Sequence, residues 1–538
     1  MQVPYEYRRS QTLAKQVCSL GIDAMTYFFT SFHKWRLAFQ HKFNAGEKFF
    51  NAAGSRYERK FFFEKIFSPV NLTHGKPWKA LLMYGAPIML SYLLQQIYVL
   101  TDAIICGQVL TSDQVAGVND TFPLTFIFLQ FAFGCTTGFS VITAKCVGCG
   151  DEKGTRQSFA AQIYLGVIIS VILTLISIFA LPWLLGLINV TPINKEVYDA
   201  AYEYCFVIFL GLITQMGYNM VCGILRAYGD SVTPLIFLAI STALNVTLDV
   251  LFLTAFKWGA KGAAAATVLT QALSLVGSFI YAVAKYKSLR LKKEDFRGAF
   301  KVSVAHLKQG IPLGLQFSIL AVGIIVMQSV VVKFDLTENG TMVNGTPAQN
   351  GFGAASKLIN FLMSFYNGLG AAILGYNAQN YGKGNYDNVK KGTLQALVIM
   401  LVIYVICLIA GFLLSINGIY QYIFMSKDKI SAQSITFGNA YVIIDFALYC
   451  ILGFLIVVRS AVQGICKSAF VLGAGIAELV ARILTCTFLP ILINGGTINS
   501  AASLGSFCAL CLGDHMAWAL ASLILLFPFI VNIIKKRY

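Results

Sequence analysis

Asp249 is the only charged residue between Ser231 and Phe256, in a run otherwise apolar and long enough to cross a bilayer. A carboxylate in the middle of a span costs about 2.5–3.5 kcal/mol on insertion scales, so an intramembrane acid points to a functional site. Asn245 lies four residues earlier, which puts its amide on the same helical face. A second acid, Asp102, stands near the end of another apolar segment, Leu81–Gly107. Low-dielectric surroundings penalise the charged carboxylates, and binding a proton or a cation relieves that penalty. Hard cations take oxygen ligands, so two carboxylates and an amide suit H⁺ or Na⁺ alike. This is the chemistry of ion-coupled transport, and it does not choose between the two ions.

Other polar and aromatic side chains share these faces. Gln95 and Tyr98 precede Asp102 by seven and four residues, and Gln271 follows Thr267 by four, spacings that stack side chains along one helix face. With Met216, Asn219, Tyr366 and Asn367 they are candidates for a substrate path, because methionine and aromatic walls adapt to ligand shape. Pro87, early in the first span, is a candidate hinge, since a proline removes one helical hydrogen bond. Structural readings stand beside each of these. A buried Asp, Asn or Thr can simply bond to a neighbouring helix. Glu478 and Arg482, at i and i+4, can neutralise each other, Asp445 is evenly balanced, and a proline can be no more than a kink.

The elements that must carry these residues are membrane helices. Hydrophobic residues make up 57% of the chain and charged ones 12%, against about 45–50% and 25% in soluble domains. Apolar runs nominate twelve spans, at 81–106, 121–144, 159–188, 204–224, 232–256, 262–284, 309–332, 353–378, 393–420, 433–458, 468–493 and 515–534. With both termini in the cytoplasm, most of the 41 Lys and Arg residues fall on the inner side, as the positive-inside rule demands of an even number of spans. The expectation is an all-α polytopic protein integral to the cell (inner) membrane. The net charge of +17 then reflects basic loops beside an anionic leaflet and calls for no nucleic acid. The 13 cysteines lie mostly in spans, where Cys acts as a small hydrophobe. The pairs Cys146/Cys149 and Cys508/Cys511 lack the further ligands of a zinc site. No cleavable signal peptide opens the chain.

Residues 1–72 are a basic, aromatic extension expected on the cytoplasmic side of the leaflet. A six-helix bundle over 73–288, a basic cytoplasmic linker over 289–307 and a second six-helix bundle over 308–538 follow. The halves resemble each other. Ala144-Lys-Cys-Val-Gly148-Cys-Gly150 is matched by Ala378-Gln-Asn-Tyr-Gly382-Lys-Gly384, and Pro87 by Pro312. Six spans is an even number, so the pseudo-symmetry axis should run along the membrane normal with a substrate path between the halves.

Several segments, in order, resemble the multidrug and toxic compound extrusion (MATE) family, in particular its bacterial branch related to DNA-damage-inducible protein F. They are Thr73-His-Gly-Lys-Pro-Trp; Gln95-Gln-Ile-Tyr98 running to Asp102 and Gly107; Arg226-Ala-Tyr-Gly-Asp-Ser-Val-Thr-Pro234 leading into Asn245-Val-Thr-Leu-Asp249; Trp258-Gly-Ala-Lys-Gly-Ala-Ala-Ala-Ala-Thr267; and Gly475-Ile-Ala-Glu478-Leu-Val-Ala-Arg482. The resemblance implies a V-shaped, twelve-helix antiporter of two pseudo-symmetric bundles. It would export cationic amphipathic compounds in exchange for H⁺ or Na⁺ by alternating access, with no other cofactor. The family's cation site maps onto Asp102, Asn245, Asp249 and Thr267. The family's second-half acids find no match here.

A lipid-linked oligosaccharide flippase is the nearest alternative. It would need several basic residues in a central cavity, and Arg482 is the only one expected deep in a span. A membrane-embedded enzyme is less favoured: the sequence has no Gly-x-Ser-x-Gly, His-Glu-x-x-His or Gly-x-x-x-x-Gly-Lys-Ser/Thr motif, so ATP does not drive it. None of His33, His41, His74, His306 and His515 is expected deep in a span. The protein is expected to act as a monomer on small organic cations or amphipathic drugs.

Overall fold

The computed structural model describes residues 68–188, 190–425 and 430–536. The expected extension over 1–72 therefore lies almost wholly outside the described residues. Chains in lipid must satisfy their backbone polar groups internally, and helices do so within one segment. The described residues are accordingly helical, with one isolated bridge, Leu336 to Met342, as their β-pairing.

The first half comprises α1 (Pro77–Val109), a short α2 (Ser112–Asp120), α3 (Phe122–Cys149), α4 (Glu152–Phe179), a short α5 (Leu181–Leu187), α6 (Lys195–Leu210), α7 (Leu212–Ala227), α8 (Val232–Val250) and α9 (Ala260–Lys285). The second comprises α10 (Lys293–Lys333), α11 (Pro347–Gly382), α12 (Tyr386–Ser415), a short α13 (Ile419–Phe424), α14 (Ala432–Gly464), α15 (Ser468–Asn494) and α16 (Leu504–Pro528). Among the described residues, eleven helices are long and apolar enough to span a membrane, α8 and α16 being counted with the π-helical turns that continue them and α12 with α13. α6 and α7, bent by 45° at Gly211, make the twelfth span if taken together. Local chemistry sets the ends. Pro77 and Pro347 open α1 and α11, where their missing N–H is no loss. Asp151, Ser431 and Ser503 accept backbone N–H bonds at the starts of α4, α14 and α16.

Two expected boundaries move. The linker over 289–307 is largely helical: residues 293–307 form the opening turns of the 41-residue α10. Its charges break the apolar run, but Asp295, Ala299, Ser303 and His306 recur at helical spacing and are buried. The last span begins at Leu504 rather than near 515, because Asp514 and His515 interrupt hydropathy without interrupting the helix.

The start of α1, the end of α11, the start of α12 and the end of the chain share one face. Lys383 Nζ contacts His74 Nε2 at 2.8 Å, and Lys536 pairs with Asp387. Near this face the two repeated segments meet each other reciprocally. A Cβ on Gly148 would come within 2.0 Å of Gln379 O, and one on Gly382 within 2.1 Å of Lys145 O. Lys145 and Gln379 occupy the same position in their repeats, so the seam is isologous, as a two-fold relation requires. Gln379 Nε2 donates to Ala227 O at 2.7 Å and Asn380 Nδ2 to Leu72 O at 2.9 Å across it. Gly148→Leu is expected to hold this seam open. A cysteine placed at the buried Ala378 should then react with a membrane-impermeant maleimide from this side, and stay protected when Gly148 is intact.

Candidate functional site

Asp249 sits near the end of α8, one residue before a π-helical turn, Leu251–Ala255, replaces the regular helix. Such turns often mark functional positions. Asp249 is fully buried and Asn245, one turn earlier, is 1% exposed. α1 brings Asp102 and Tyr98 to the same place, and α9 brings Thr267. Tyr98 Oη lies 3.2 Å from Thr267 Oγ1, and the Asn245 amide reaches Thr267 Oγ1 at 3.5 Å. The carboxyl groups of Asp102 and Asp249 lie close enough to act on each other electrostatically.

Asp102 Oδ1, Asn245 Oδ1 and both carboxylate oxygens of Asp249 are buried with no donor. Four buried acceptors without a donor are costly as they stand. A proton or a desolvated monovalent cation would satisfy them. The structure thus gathers all four residues of the expected cation site, with Tyr98 alongside. Tyr204 of α6 and Cys106 of α1 also border the acids. The sequence reading did not pick out Tyr204, which stands at the first residue of the expected fourth span, next to Glu203.

The expected substrate path is not gathered in this way. Met216 is 1% exposed and packs with Phe139, Leu165 and Ile169. Tyr366 is fully buried, 5.0 Å from the Tyr449 ring. Both pack as core residues of separate clusters, and Tyr366 Oη is buried without a hydrogen-bond partner. In a membrane bundle the face toward a neighbouring helix and the face toward a cavity are both apolar, so residue type alone does not separate them. Gln95 is exposed, and Gln271 and Asn367 are half-buried. Asn219 Nδ2 is buried without a partner, as is Gln215 Oε1 one turn earlier. Pro87 is buried within α1, which stays helical through it, and its carbonyl accepts from Ser91 Oγ at 2.9 Å.

A second network of charges lies in the other half, and the sequence showed only part of it. Glu478 pairs with Arg459 and, at 3.6 Å, with Arg482. Arg482 pairs with Asp514 at 2.8 Å, and Tyr441 Oη donates to Asp514 Oδ2 at 3.0 Å. Two arginines and two acids make this chain neutral. Beside it Asp445 is fully buried, its oxygens without a hydrogen-bond donor. His515 Nε2 stands 3.5 Å away, too far for a good hydrogen bond. His515 therefore lies inside the last span, 3% exposed, contrary to the expectation that no histidine lies deep; His306 is fully buried too, but near the start of α10. Arg459, near the end of α14, is also largely buried, 12% exposed by its side chain. Starting the last span at 515 left Asp514 outside it and His515 at its edge.

Known proteins resemble this chain over much of its length. A family model described as MatE matches residues 87–251 and 342–488. The chain is 30% identical over 326 residues to a protein of Bacillus subtilis named "Probable multidrug resistance protein YpnP", covering 59% of this chain and 68% of that one. It is 24% identical over 385 residues to "Probable multidrug resistance protein YoeA" of the same organism, covering 70% and 79%. Among solved structures, "Crystal structure of MATE in complex with MaL6" superposes with a TM-score of 0.76 at 20% identity, covering 87% of this chain and 99% of that one. With more than half of its length matched by the family model, this chain belongs to the MATE family of multidrug efflux transporters.

Proposed function

We propose that the protein is a secondary antiporter that exports cationic amphipathic compounds in exchange for H⁺ or Na⁺. The observation that carries this reading is the donor-free cluster of Asp102, Asn245 and Asp249 oxygens. Such a cluster binds a small cation and releases it when the surrounding helices move. The Lys- and Arg-rich face is placed in the cytoplasm by the positive-inside rule, with both termini there and the protein working as a monomer. In the state described, the seam at Gly148 and Gly382 is closed. Cation binding between α1 and α8 would draw the Asp102-bearing part of α1 inward and displace substrate, with Pro87 as the bend.

A lipid-linked flippase would need free arginines for a pyrophosphate. Arg459 and Arg482 are instead engaged by Glu478 and Asp514, which favours the antiporter. The test is uptake of a fluorescent organic cation into everted vesicles under a proton gradient and a sodium gradient imposed separately. Uptake under one of them identifies the coupling ion. Absence under both, from correctly inserted protein, overturns the reading.

A further inference from the structure

The opening of α10 has three distinct faces. Asp295, Ala299, Ser303 and His306 are buried against α4. Arg156 Nε lies 3.5 Å from Asp295 Oδ1, Ser158 Oγ 2.8 Å from His306 Nε2, and Ala299 packs with Ala160 and Ala161. Residues 156–161 of α4 rise about 8 Å, whereas residues 295–306 of α10 rise about 16 Å. This part of α10 therefore runs across α4 at a steep angle, near the membrane plane if α4 spans it. It crosses at the first turns of α4, level with the edge of the bilayer.

A second face carries Phe296, Phe300 and Val304, each four residues from the next, and they are 48%, 73% and 56% exposed. A third carries Lys293, Arg297 and Lys301, again at four-residue spacing and exposed. At 100° per residue the aromatic stripe lies between the α4-facing side and the basic stripe. Protein on one side, an apolar flank and a basic outer side are what a helix meets at headgroup level beside a bundle. The same helix continues into a span with exposed Leu315, Val322 and Ile324, so its apolar flank is continuous with a lipid-facing surface.

We infer that residues Lys293–Lys308 form an interfacial helix that binds anionic phospholipid, with Lys293, Arg297 and Lys301 on the headgroups and Phe296, Phe300 and Val304 at the acyl boundary. The helix joins the two halves, so bound lipid would brace the linker against α4. This rests on the membrane placement given above but not on ion coupling, and its readout is independent of transport.

The test uses the full chain in bilayer nanodiscs of phosphatidylcholine with phosphatidylglycerol. Photoactivatable phosphatidylglycerol and photoactivatable phosphatidylcholine are compared for cross-linking to the peptide spanning Phe296–Val304. The expected result is preferential labelling by the anionic probe. The preference should weaken on the order of 10-fold in Arg297→Gln/Lys301→Gln, the scale of two basic residues near an anionic surface. Equal labelling by both probes, unchanged in the variant, would show only ordinary lipid contact and overturn the inference. Labelling that appears only after removal of residues 1–67 would overturn it too, by assigning the face to that segment.

Discussion

In everted vesicles the Asp249→Asn protein is expected to hold no substrate gradient while inserting in wild-type amount. Each coupling cation moved down an electrochemical gradient of 100 mV supplies about 2.3 kcal/mol, which sustains about a 40-fold substrate ratio at about 1.4 kcal/mol per decade. Asparagine keeps the shape of the side chain but removes the charge a cation would neutralise. It also brings amide donors into a cluster where Asp102 Oδ1 and Asn245 Oδ1 have none. The variant should therefore be at least as resistant to heat in detergent as the wild type, while its substrate ratio falls to about unity. Loss of function without loss of stability separates a coupling acid from a structural one. Asp102→Asn should behave in the same way. If Asp249→Asn still builds a gradient, coupling lies elsewhere, and Asp445 beside His515 becomes the first place to look.

The second large effect is on stability. Arg482→Met leaves Asp514 buried without its cation, although Arg459 still serves Glu478. Breaking a buried pair from one side costs about 3–5 kcal/mol, chiefly through the charge left behind. The protein should lose its monodisperse peak in detergent at a markedly lower temperature than the wild type. Asp514→Asn in the same chain removes the stranded charge and should recover most of the loss, because Tyr441 can still donate to the amide oxygen. A double-mutant cycle measures this coupling. Simple additivity of the two substitutions would mean that the 2.8 Å pair contributes nothing on its own.

The all-helical fold was legible because each span announces itself locally. A run of about twenty apolar residues has one stable solution in lipid, and no knowledge of its neighbours is needed. Asp249 stood out for the same reason, as a lone charge in such a run, and its partners Asn245 and Thr267 followed from helical spacing and motif. Boundaries failed where a helix continued through charge. The opening of α10 and the first turns of α16 were cut from their helices because Arg297, Lys301, Asp514 and His515 end an apolar run, although none of them ends a helix.

Sequence by itself determined the number of spans, the repeat of the two halves and the acids that stand alone in apolar helices, since all of these are patterns along one segment. Only tertiary structure decided which charges neutralise each other. Arg482 is satisfied by Asp514, 32 residues on, as well as by Glu478 one turn away, and Asp445 faces His515 across two helices. It also decided that Met216 and Tyr366 are buried in packed clusters, and that Gly148 and Gly382 meet at one seam. Each of these depends on which helix faces lie against each other, and that is fixed by packing the whole bundle rather than by any single span.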